Sequence, residues 1–172
     1  MAAILASVRR SWAGSVAAMT GPGRTESADT SRPSRHGQLH HVELWVADLA
    51  ATSASLGWLL TSLGYAVYQE WDAGRSWRLG TTYIVAEQSP ALAGGGHERC
   101  RPGLNHLAFH VAHSAEVDRL AEEAGGHGWT LLFADRHPYA GGPEHYAAYL
   151  EDTQGFEVEL VAMGWVGGTL DQ

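Results

Sequence analysis

The sequence predicts an α+β fold built from two βαβββ modules, and three observations carry this prediction. An internal repeat is visible, because HHVELWVADLAATSASLGWLLTSLGY begins at residue 40 and NHLAFHVAHSAEVDRLAEEAGGHGW begins at residue 105. Each copy opens with a histidine on an alternating strand pattern and continues into a helical pattern that ends at glycine. Further short strand patterns, separated by turn residues, follow each helix.

Module one spans residues 39–88. In its first strand His41, Glu43 and Trp45 share one face, because successive side chains of a strand point to opposite sides of the sheet. Asp48 is the expected N-cap of the following helix, whose leucines recur at helical spacing on one face. The remaining strands are predicted over residues 65–70, 77–79 and 82–88, with a turn at residues 72–74.

Module two spans residues 104–162 and repeats this order of elements after a Gly-rich linker over residues 89–103. His106 opens its first strand, and Ser114 is the expected cap of its helix. The long loop PYAGGPEH separates two of its strands. These strands are predicted over residues 106–111, 129–133, 146–151 and 156–161.

Composition and charge argue against several classes of function. The chain has 172 residues and a formal net charge of −8. An acidic chain without a basic cluster is a poor candidate for binding nucleic acid or anionic membranes, and no apolar run is long enough for a transmembrane helix. Cys100, the single cysteine, allows neither an intramolecular disulfide nor a cysteine-based zinc site. These features predict a cytoplasmic protein that binds neither nucleic acid nor a membrane.

The two ends of the chain differ in composition from the modules. Residues 1–37 are rich in Arg, Ser, Gly and Pro, and we expect them to form a disordered N-terminal extension. The sequence therefore predicts a single domain over residues 38–164, followed by a C-terminal tail over residues 165–172.

Three residues of the modules form a candidate metal site. His41 and His106 open the equivalent strands of the repeat, and Glu159 lies in the last strand, EVEL. Two imidazoles and one carboxylate are the minimal facial set for a divalent ion with open positions. Modules packed about a pseudo-two-fold axis would bring the two histidines together. An unpaired Glu159 would be costly among apolar neighbours, although Glu157 shares its face, so a salt-bridged or exposed face is the alternative.

The segments HVELWVADL, GLNHLAFHV and YLEDTQGFEVELVA resemble the three signature strands of the vicinal oxygen chelate superfamily. That superfamily includes glyoxalase I, extradiol dioxygenases, fosfomycin-resistance enzymes and bleomycin-binding proteins. The resemblance covers residues 39–162, and its last segment carries the superfamily's Tyr-x-x-Asp-x-x-Gly-x-x-x-Glu pattern at Tyr149, Asp152, Gly155 and Glu159.

The resemblance has structural and chemical implications. It implies that the two modules form an eight-stranded, cup-shaped sheet and that the protein is a homodimer. It also implies that His41, His106 and Glu159 are ligands of one divalent metal ion, which could be Fe, Zn, Ni or Mn.

Two families within the superfamily differ in residues that this chain only partly matches. Glyoxalase I adds a glutamate ligand in the last strand of module one, where Glu87 is the nearest acid here and Gln88 follows it. The favoured register places Val85 at that position and Glu87 two residues further along the same face. Extradiol dioxygenases resemble the chain at Tyr149, ten residues before Glu159. They also carry an upstream histidine and a proline that the chain lacks at the matching positions.

Further polar residues are candidates for proton transfer or for the substrate pocket. His110 shares a strand face with His106 and is a candidate proton carrier, with a buried structural histidine as the alternative. Glu159 and Tyr149 are the other expected catalytic groups. The expected substrate pocket also includes loop residues that could close over the cup, namely Arg136, His137 and Tyr139. Its other members are Glu43 and Trp45, which share the strand face of His41, and His145, which lies near Tyr149.

Three functions follow from these patterns. The first is a glyoxalase-like lyase or isomerase whose small substrate chelates a divalent metal through vicinal oxygens. The second is an Fe(II)-dependent, ring-cleaving extradiol dioxygenase. The third is a metal-free protein that binds a drug-like molecule, as the bleomycin-binding relatives do; the two histidines and the glutamate argue against it.

Overall fold

The computed structural model of the protein describes residues 36–94 and 96–164. Within these ranges, every strand and helix lies in the second of two units of the chain, the one that begins at Leu39. The predicted extension lies outside the described residues except for His36 and Gly37, and the predicted tail lies outside them entirely.

Module one forms a four-stranded sheet, sheet A, with one helix. The strand order is β1-β4-β3-β2, with β1 and β4 parallel and the other neighbours antiparallel. Asp48 is the N-cap, as predicted, because its carboxylate accepts the Ala51 N–H at 2.9 Å. The elements are β1 (His41–Trp45), α1 (Leu49–Ser62), β2 (Ala66–Trp71), β3 (Gly74–Leu79) and β4 (Thr82–Glu87).

Module two repeats this topology in sheet B, with the order β5-β8-β7-β6 and parallel pairing of β5 with β8. The predicted Ser114 cap is wrong by one residue, because the His113 imidazole accepts the Glu116 N–H and the helix begins at Ser114. The elements are β5 (His106–Val111), α2 (Ser114–Ala124), β6 (Trp129–Leu132), β7 (Ala147–Asp152) and β8 (Glu157–Ala162), with a short 3₁₀ helix at Gly125–His127.

The α+β class and the two βαβββ modules are confirmed. Within the described ranges, the eight strands divide into two separate four-stranded sheets rather than one hydrogen-bonded sheet. The strand and helix limits differ from those predicted by three residues at most, since alternation and helical spacing are local properties of the chain.

A shared apolar core lies on one face of each sheet. Each helix packs against the strands of its own module, and buried residues from both modules belong to one cluster, including Leu44, Leu59, Trp77, Leu120, Leu150 and Leu160. Because side chains alternate along a strand, the residues between these point to the opposite face of each sheet. That face carries the polar positions of β1, β5, β7 and β8.

The modules are also joined by polar and aromatic contacts. The Gln154 side chain accepts the Asp48 N–H at 2.8 Å and donates to the Asp48 carbonyl at 3.0 Å and to Thr52 Oγ1 at 2.6 Å. The Trp58 and His127 rings stack with centroids 4.2 Å apart. Helix α1 is therefore tied directly to the β7–β8 turn and to the end of α2.

Candidate metal centre

The strand register of sheet B brings polar side chains together on the face opposite the core. In β5 and β8, Ala108 is the partner of Glu159, and His106 lies two residues earlier on the same side. Tyr149 of β7 is the partner of Glu159 on its other flank. Glu159 is thus held between a histidine strand and a tyrosine strand.

The two oxygens of the Glu159 carboxylate each face one imidazole. Its Oε2 lies 3.3 Å from Nε2 of His106, and its Oε1 shares a 2.6 Å hydrogen bond with Nε2 of His145. Tyr149 donates a hydrogen bond to the same carboxylate. Glu159, which is only 7% exposed, therefore has several polar partners in place of water.

These contacts shift the proton affinities of the cluster. Burial raises the pKa of the Glu159 carboxyl, but hydrogen bonds from Tyr149 and His145 and the nearby imidazoles outweigh it, so that pKa lies below its usual range. Burial, followed by the hydrogen bond to Glu159, raises the pKa of the Tyr149 hydroxyl far above its usual value. Tyr149 is consequently a permanent donor at neutral pH, and Glu159 is a carboxylate.

The loop between β6 and β7 closes over this cluster at Gly141. A Cβ atom at Gly141 would lie 2.5 Å from Cδ2 of His145 and 2.7 Å from the Tyr149 hydroxyl oxygen. Real side chains do not tolerate such distances, so the absence of a side chain lets the loop hold His145 against Glu159.

A linker arginine that sequence reasoning missed neutralises the acids beside the cluster. Arg99 places Nη1 2.7 Å from Glu157 Oε2 and Nε 3.0 Å from Glu151 Oε1. Glu157 is 4% exposed, and a buried carboxylate at this position requires a cation. The need for a cation beside Glu157 could have been predicted from the sequence, but no local pattern identifies Arg99 as the arginine that meets it.

The two histidines that open the modules are supported in the same way. Nδ1 of His106 shares a 2.7 Å hydrogen bond with Oδ1 of Asn105, and Nδ1 of His41 shares one of 2.9 Å with Nδ1 of His40. In both cases the preceding residue engages Nδ1 and leaves Nε2 for another partner. His41 also stacks on Tyr83, with ring centroids 4.9 Å apart. A hydrogen bond on the far ring nitrogen is the usual support of a metal-binding histidine.

The His106–Glu159 pair fits two donors of a divalent ion. Two ligand atoms that each lie about 2.0 Å from a tetrahedral ion are about 3.3 Å apart, the observed Nε2–Oε2 separation. The His145–Glu159 distance of 2.6 Å is too short for two ligands and is that of a hydrogen bond. In the described part of the chain, no three His, Cys, Asp or Glu side chains assemble into a metal-binding group, and His41 contacts His40 and Tyr83 instead.

The register of sheet A locates the candidates for a further acidic ligand. Glu43 is the partner of Val85, and Trp45 is the partner of Glu87. By comparison with sheet B, Val85 therefore takes the place that Glu159 has in module two. Burial and the charge of Glu43 raise the pKa of the Glu87 carboxyl. The Gln88 amide oxygen accepts the Leu49 N–H at 3.2 Å at the start of α1.

Of the other expected site residues, two pack toward α2 and two do not. His110 is exposed on the His106 face of β5, opposite Val161, and the Arg136 guanidinium lies 4.7 Å from the Phe133 ring centroid. His137 and Tyr139 instead turn toward α2 and its neighbours. His137 Nε2 lies 3.6 Å from Asp118, and Tyr139 packs edge-on against Tyr146.

A cavity of about 950 Å³ adjoins β1 and the linker. Its wall includes Glu43 and Trp45, which the sequence predicted for the substrate pocket, and the Trp45 Nε1–H donates to Glu43 Oε1 at 2.9 Å. Linker residues His97, Glu98 and Arg101 complete this wall; the sequence indicated only a polar, Gly-rich connection there. No helix in the described ranges combines the length and apolar character needed to cross a bilayer.

Paired βαβββ modules with a supported histidine–glutamate pair define a glyoxalase-like domain. The family model of the glyoxalase/bleomycin resistance protein/dioxygenase superfamily matches residues 40–149, and the chain belongs to this superfamily. The chain is 47% identical over 126 residues to YqjT of Bacillus subtilis, covering 72% of this chain and 98% of that protein.

Solved structures agree with this assignment. A crystal structure from Bacillus halodurans, described as that of a candidate glyoxalase, has a TM-score of 0.71 and 44% sequence identity, covering 74% of this chain and 97% of that one. A glyoxalase/bleomycin resistance protein from Albidiferax ferrireducens has a TM-score of 0.58 and 18% identity, covering 72% and 97% of the two chains. The latter similarity concerns the fold alone.

Proposed function

We propose that the protein is a metal-dependent, glyoxalase-like lyase or isomerase that acts on a small substrate with vicinal oxygens. The observation that carries this proposal is the 3.3 Å separation of His106 Nε2 and Glu159 Oε2, with Nδ1 of His106 already held by Asn105. The similarity to the Bacillus halodurans protein, described as a candidate glyoxalase, supports the same class of activity.

His106, Glu159 and His41 would hold the ion, which could be Fe, Zn, Ni or Mn. When bound, a divalent ion polarises the substrate oxygens as a Lewis acid and stabilises negative charge on them. The open coordination positions of a three-ligand set leave room for two substrate oxygens.

A homodimer would supply the missing ligand. The described residues of one chain do not bring His41 to the His106–Glu159 pair. Both His41 and His106 lie on the sheet faces opposite the shared core, where a second copy of the chain has access. We therefore propose that His41 of one copy completes the ligand set of the other.

The remaining residues of the cluster would orient and move a proton. Tyr149, a permanent hydrogen-bond donor, fixes the carboxylate of Glu159. His145 shares a proton with Glu159 Oε1, and its Nδ1 is the atom available for exchange with substrate. Gly141 lets the loop backbone lie against this contact, because a Cβ there would collide with His145 and Tyr149. His110, exposed on the same face, is the candidate for carrying the proton to solvent.

A ring-cleaving dioxygenase is the second candidate, because Tyr149 donates to the carboxylate of a two-histidine, one-carboxylate set. The Cys100 thiol, free and exposed, is compatible with either activity in the reducing cytoplasm, where we expect the protein to act.

One experiment separates these candidates. Metal-free protein is loaded with Ni²⁺, Zn²⁺, Mn²⁺ or Fe²⁺ and assayed without oxygen on α-ketoaldehyde–thiol adducts, and with oxygen on catechols. Turnover of an adduct under anaerobic conditions supports the lyase or isomerase. Oxygen consumption and a yellow product only with Fe²⁺ and catechols support the dioxygenase. If the protein binds none of the four ions, both enzymatic candidates are contradicted and the metal-free binding protein is supported.

A further inference from the structure

Two acids of β8 lie on the His106 face of sheet B, at different positions in the ladder. Glu157 is the direct partner of His106, whereas Glu159 is the partner of Ala108, two residues further along. Direct partners are nearest neighbours at about 4.8 Å between strands, while a residue two positions along lies about 8 Å away. The ladder alone would therefore pair His106 with Glu157. Within the described ranges, however, the ion pair of His106 is with Glu159, at 3.3 Å between Nε2 and Oε2.

The linker residue Arg99 accounts for this choice, because it engages Glu157. Its Nη1 lies 2.7 Å from Glu157 Oε2, and its Nε donates to Glu151 Oε1 at 3.0 Å. Glu151 is the direct partner of Glu157 in the β7–β8 ladder, so the guanidinium binds two acids that would otherwise repel each other. Glu157 is only 4% exposed, and a carboxylate buried to this extent requires its cation.

We infer that Arg99 is a positioning residue that makes Glu159, and not Glu157, the acid that faces His106. This inference rests on the proposed function, because it concerns the same His106–Glu159 pair. Without the guanidinium, Glu157 would be the nearer acid and would compete for the imidazole. The linker thus determines which of two neighbouring carboxylates joins the site, and it does so without contacting the substrate.

The main chain of Arg99 helps to orient His106 as well. Asn105 Nδ2 donates to the Arg99 carbonyl oxygen at 3.0 Å. A carbonyl oxygen only accepts, so the Asn105 amide must turn Nδ2 toward Arg99 and Oδ1 toward His106. The 2.7 Å contact between Oδ1 and His106 Nδ1 is then a hydrogen bond that the imidazole donates. The ring is held at Nδ1 from the linker side, which leaves Nε2 to face Glu159.

The alternative is that the ion pairs of Arg99 only stabilise the fold. The two roles differ in how Arg99 and Glu157 depend on each other. If Arg99 acts by engaging Glu157, the charge of Glu157 should affect His106 only when Arg99 is absent. An ion pair that only stabilises the fold gives no such dependence, because residues that act independently have additive effects.

The test observes the His106 imidazole directly and needs neither metal nor substrate. Full-length, metal-free protein is studied by NMR, and the His106 ring signals are assigned from their absence in His106→Gln. The variants are Arg99→Gln, Glu157→Gln, Glu159→Gln and the double variants that combine Arg99→Gln with each of the other two. Arg119→Gln is the matched control, because Arg119 also pairs with two glutamates, but on the exposed surface of α2.

In the wild-type background, we expect Glu159→Gln to shift the His106 signals and Glu157→Gln to leave them nearly unchanged. In the Arg99→Gln background, the larger shift should come from Glu157→Gln, because that carboxylate is then released to face the imidazole. Arg119→Gln should leave the His106 signals in place. If Glu157→Gln shifts the signals equally with and without Arg99, the inference is overturned.

A conservative variant keeps the test decisive if Arg99→Gln does not fold. Arg99→Lys retains a cation beside the buried Glu157, but a lysine ammonium is a point charge that cannot bind two carboxylates as a planar fork. The Glu157→Gln shift should therefore still be larger in the Arg99→Lys background than in the wild type. Equal shifts in these two backgrounds would contradict the inference in the same way.

Activity provides a second readout once the metal screen has identified a substrate. Arg99→Gln should lower kcat/KM about tenfold or more, the usual cost of losing an outer partner of a site, and adding Glu157→Gln should recover most of it. A double variant as impaired as Arg99→Gln alone would overturn the inference. The two proposals can fail separately: a wild type that binds none of the four ions contradicts the proposed function, while the NMR comparison still decides which acid faces His106.

Discussion

At the scale of single residues, the candidate site depends on how each polar group is held before any ligand arrives. Glu159 is buried with a donor on one oxygen and an imidazole on the other, and both module-opening histidines have Nδ1 engaged by the preceding residue. Such preorganisation lowers the cost of ordering a ligand set when an ion or substrate binds. It also makes the site sensitive to small displacements of its supporting residues.

Replacing Gly141 with alanine should lower activity by displacing site residues and not by unfolding the protein. The added Cβ would meet His145 and Tyr149 at 2.5 and 2.7 Å, so one of these side chains must move away from Glu159. Misplacement of this size lowers kcat/KM by roughly tenfold to a hundredfold. Steady-state kinetics on the substrate found in the metal screen provide the measurement. Gly125→Ala, at a helical position where a Cβ meets open space, is the control, and equal activity of the two variants would contradict the role of the loop.

A second prediction at this scale concerns Asp152 in the β7–β8 turn. Burial raises the pKa of this carboxyl more than the N–H groups of Phe156 and Gln154 lower it. An acid whose pKa is raised by folding contributes stability at low pH and loses it as the pH rises through the folded-state pKa. Asp152→Asn keeps the acceptor oxygen but cannot ionise.

The melting temperature of Asp152→Asn relative to the wild type should therefore increase between pH 4 and pH 8. Thermal unfolding at four pH values across this range provides the measurement. A difference that stays constant would show that folding does not shift this pKa, and one that falls with rising pH would show that the folded protein favours the ionised carboxylate.

At the scale of elements, the β7–β8 turn links one module to the helix of the other. Gln154 makes three hydrogen bonds to Asp48 and Thr52 at the start of α1, and the turn that presents it ends at Gly155, with φ +85°. A Cβ at Gly155 would lie 2.8 Å from the carbonyl oxygen of His97, so this turn also positions the linker that walls the cavity.

Gln154→Ala should destabilise the protein by about 2 kcal/mol, since each of three partly exposed hydrogen bonds contributes about 0.5–1.5 kcal/mol. The free energy of unfolding is measured by urea denaturation at equal protein concentrations. Thr153→Ala, at an exposed neighbour in the same turn, should change it by less than about 0.5 kcal/mol. Equal effects of the two substitutions would mean that the side-chain bridge does not couple the modules.

The sequence predicts the individual strands and helices better than it predicts the contacts between distant segments. The strand that His41 opens and the Asp48 cap were predictable because alternation and capping are local properties. The ion pair of Arg99 with Glu157 joins a linker to a strand across more than fifty residues, and no local pattern encodes it. The division into two sheets was hidden for the same reason, because the repeat predicts equivalent modules but not how their open faces are covered.

At the scale of the whole molecule, the candidate site residues lie on the faces of two different sheets. The face with His41 and Glu43 belongs to sheet A, and the face with His106 and Glu159 belongs to sheet B. The shared apolar core occupies the opposite face of both sheets. If a second copy covers these faces, as we propose, His41 of one chain joins His106 and Glu159 of the other, and the dimer contains two such centres related by symmetry.

This arrangement makes a prediction about mixtures of inactive variants. His41→Ala and His106→Ala should each abolish activity alone, because every centre in either homodimer lacks a histidine. In a mixed dimer, one centre lacks both histidines and the other combines His41 from the His106→Ala chain with His106 from the His41→Ala chain. Unfolding and refolding equal amounts together should therefore restore about one quarter of wild-type activity, since half of the dimers of a randomly pairing symmetric protein are mixed. The assay uses the metal-loaded protein, with separately refolded variants as the control. If both histidines of a centre came from the same chain, the mixture would stay inactive.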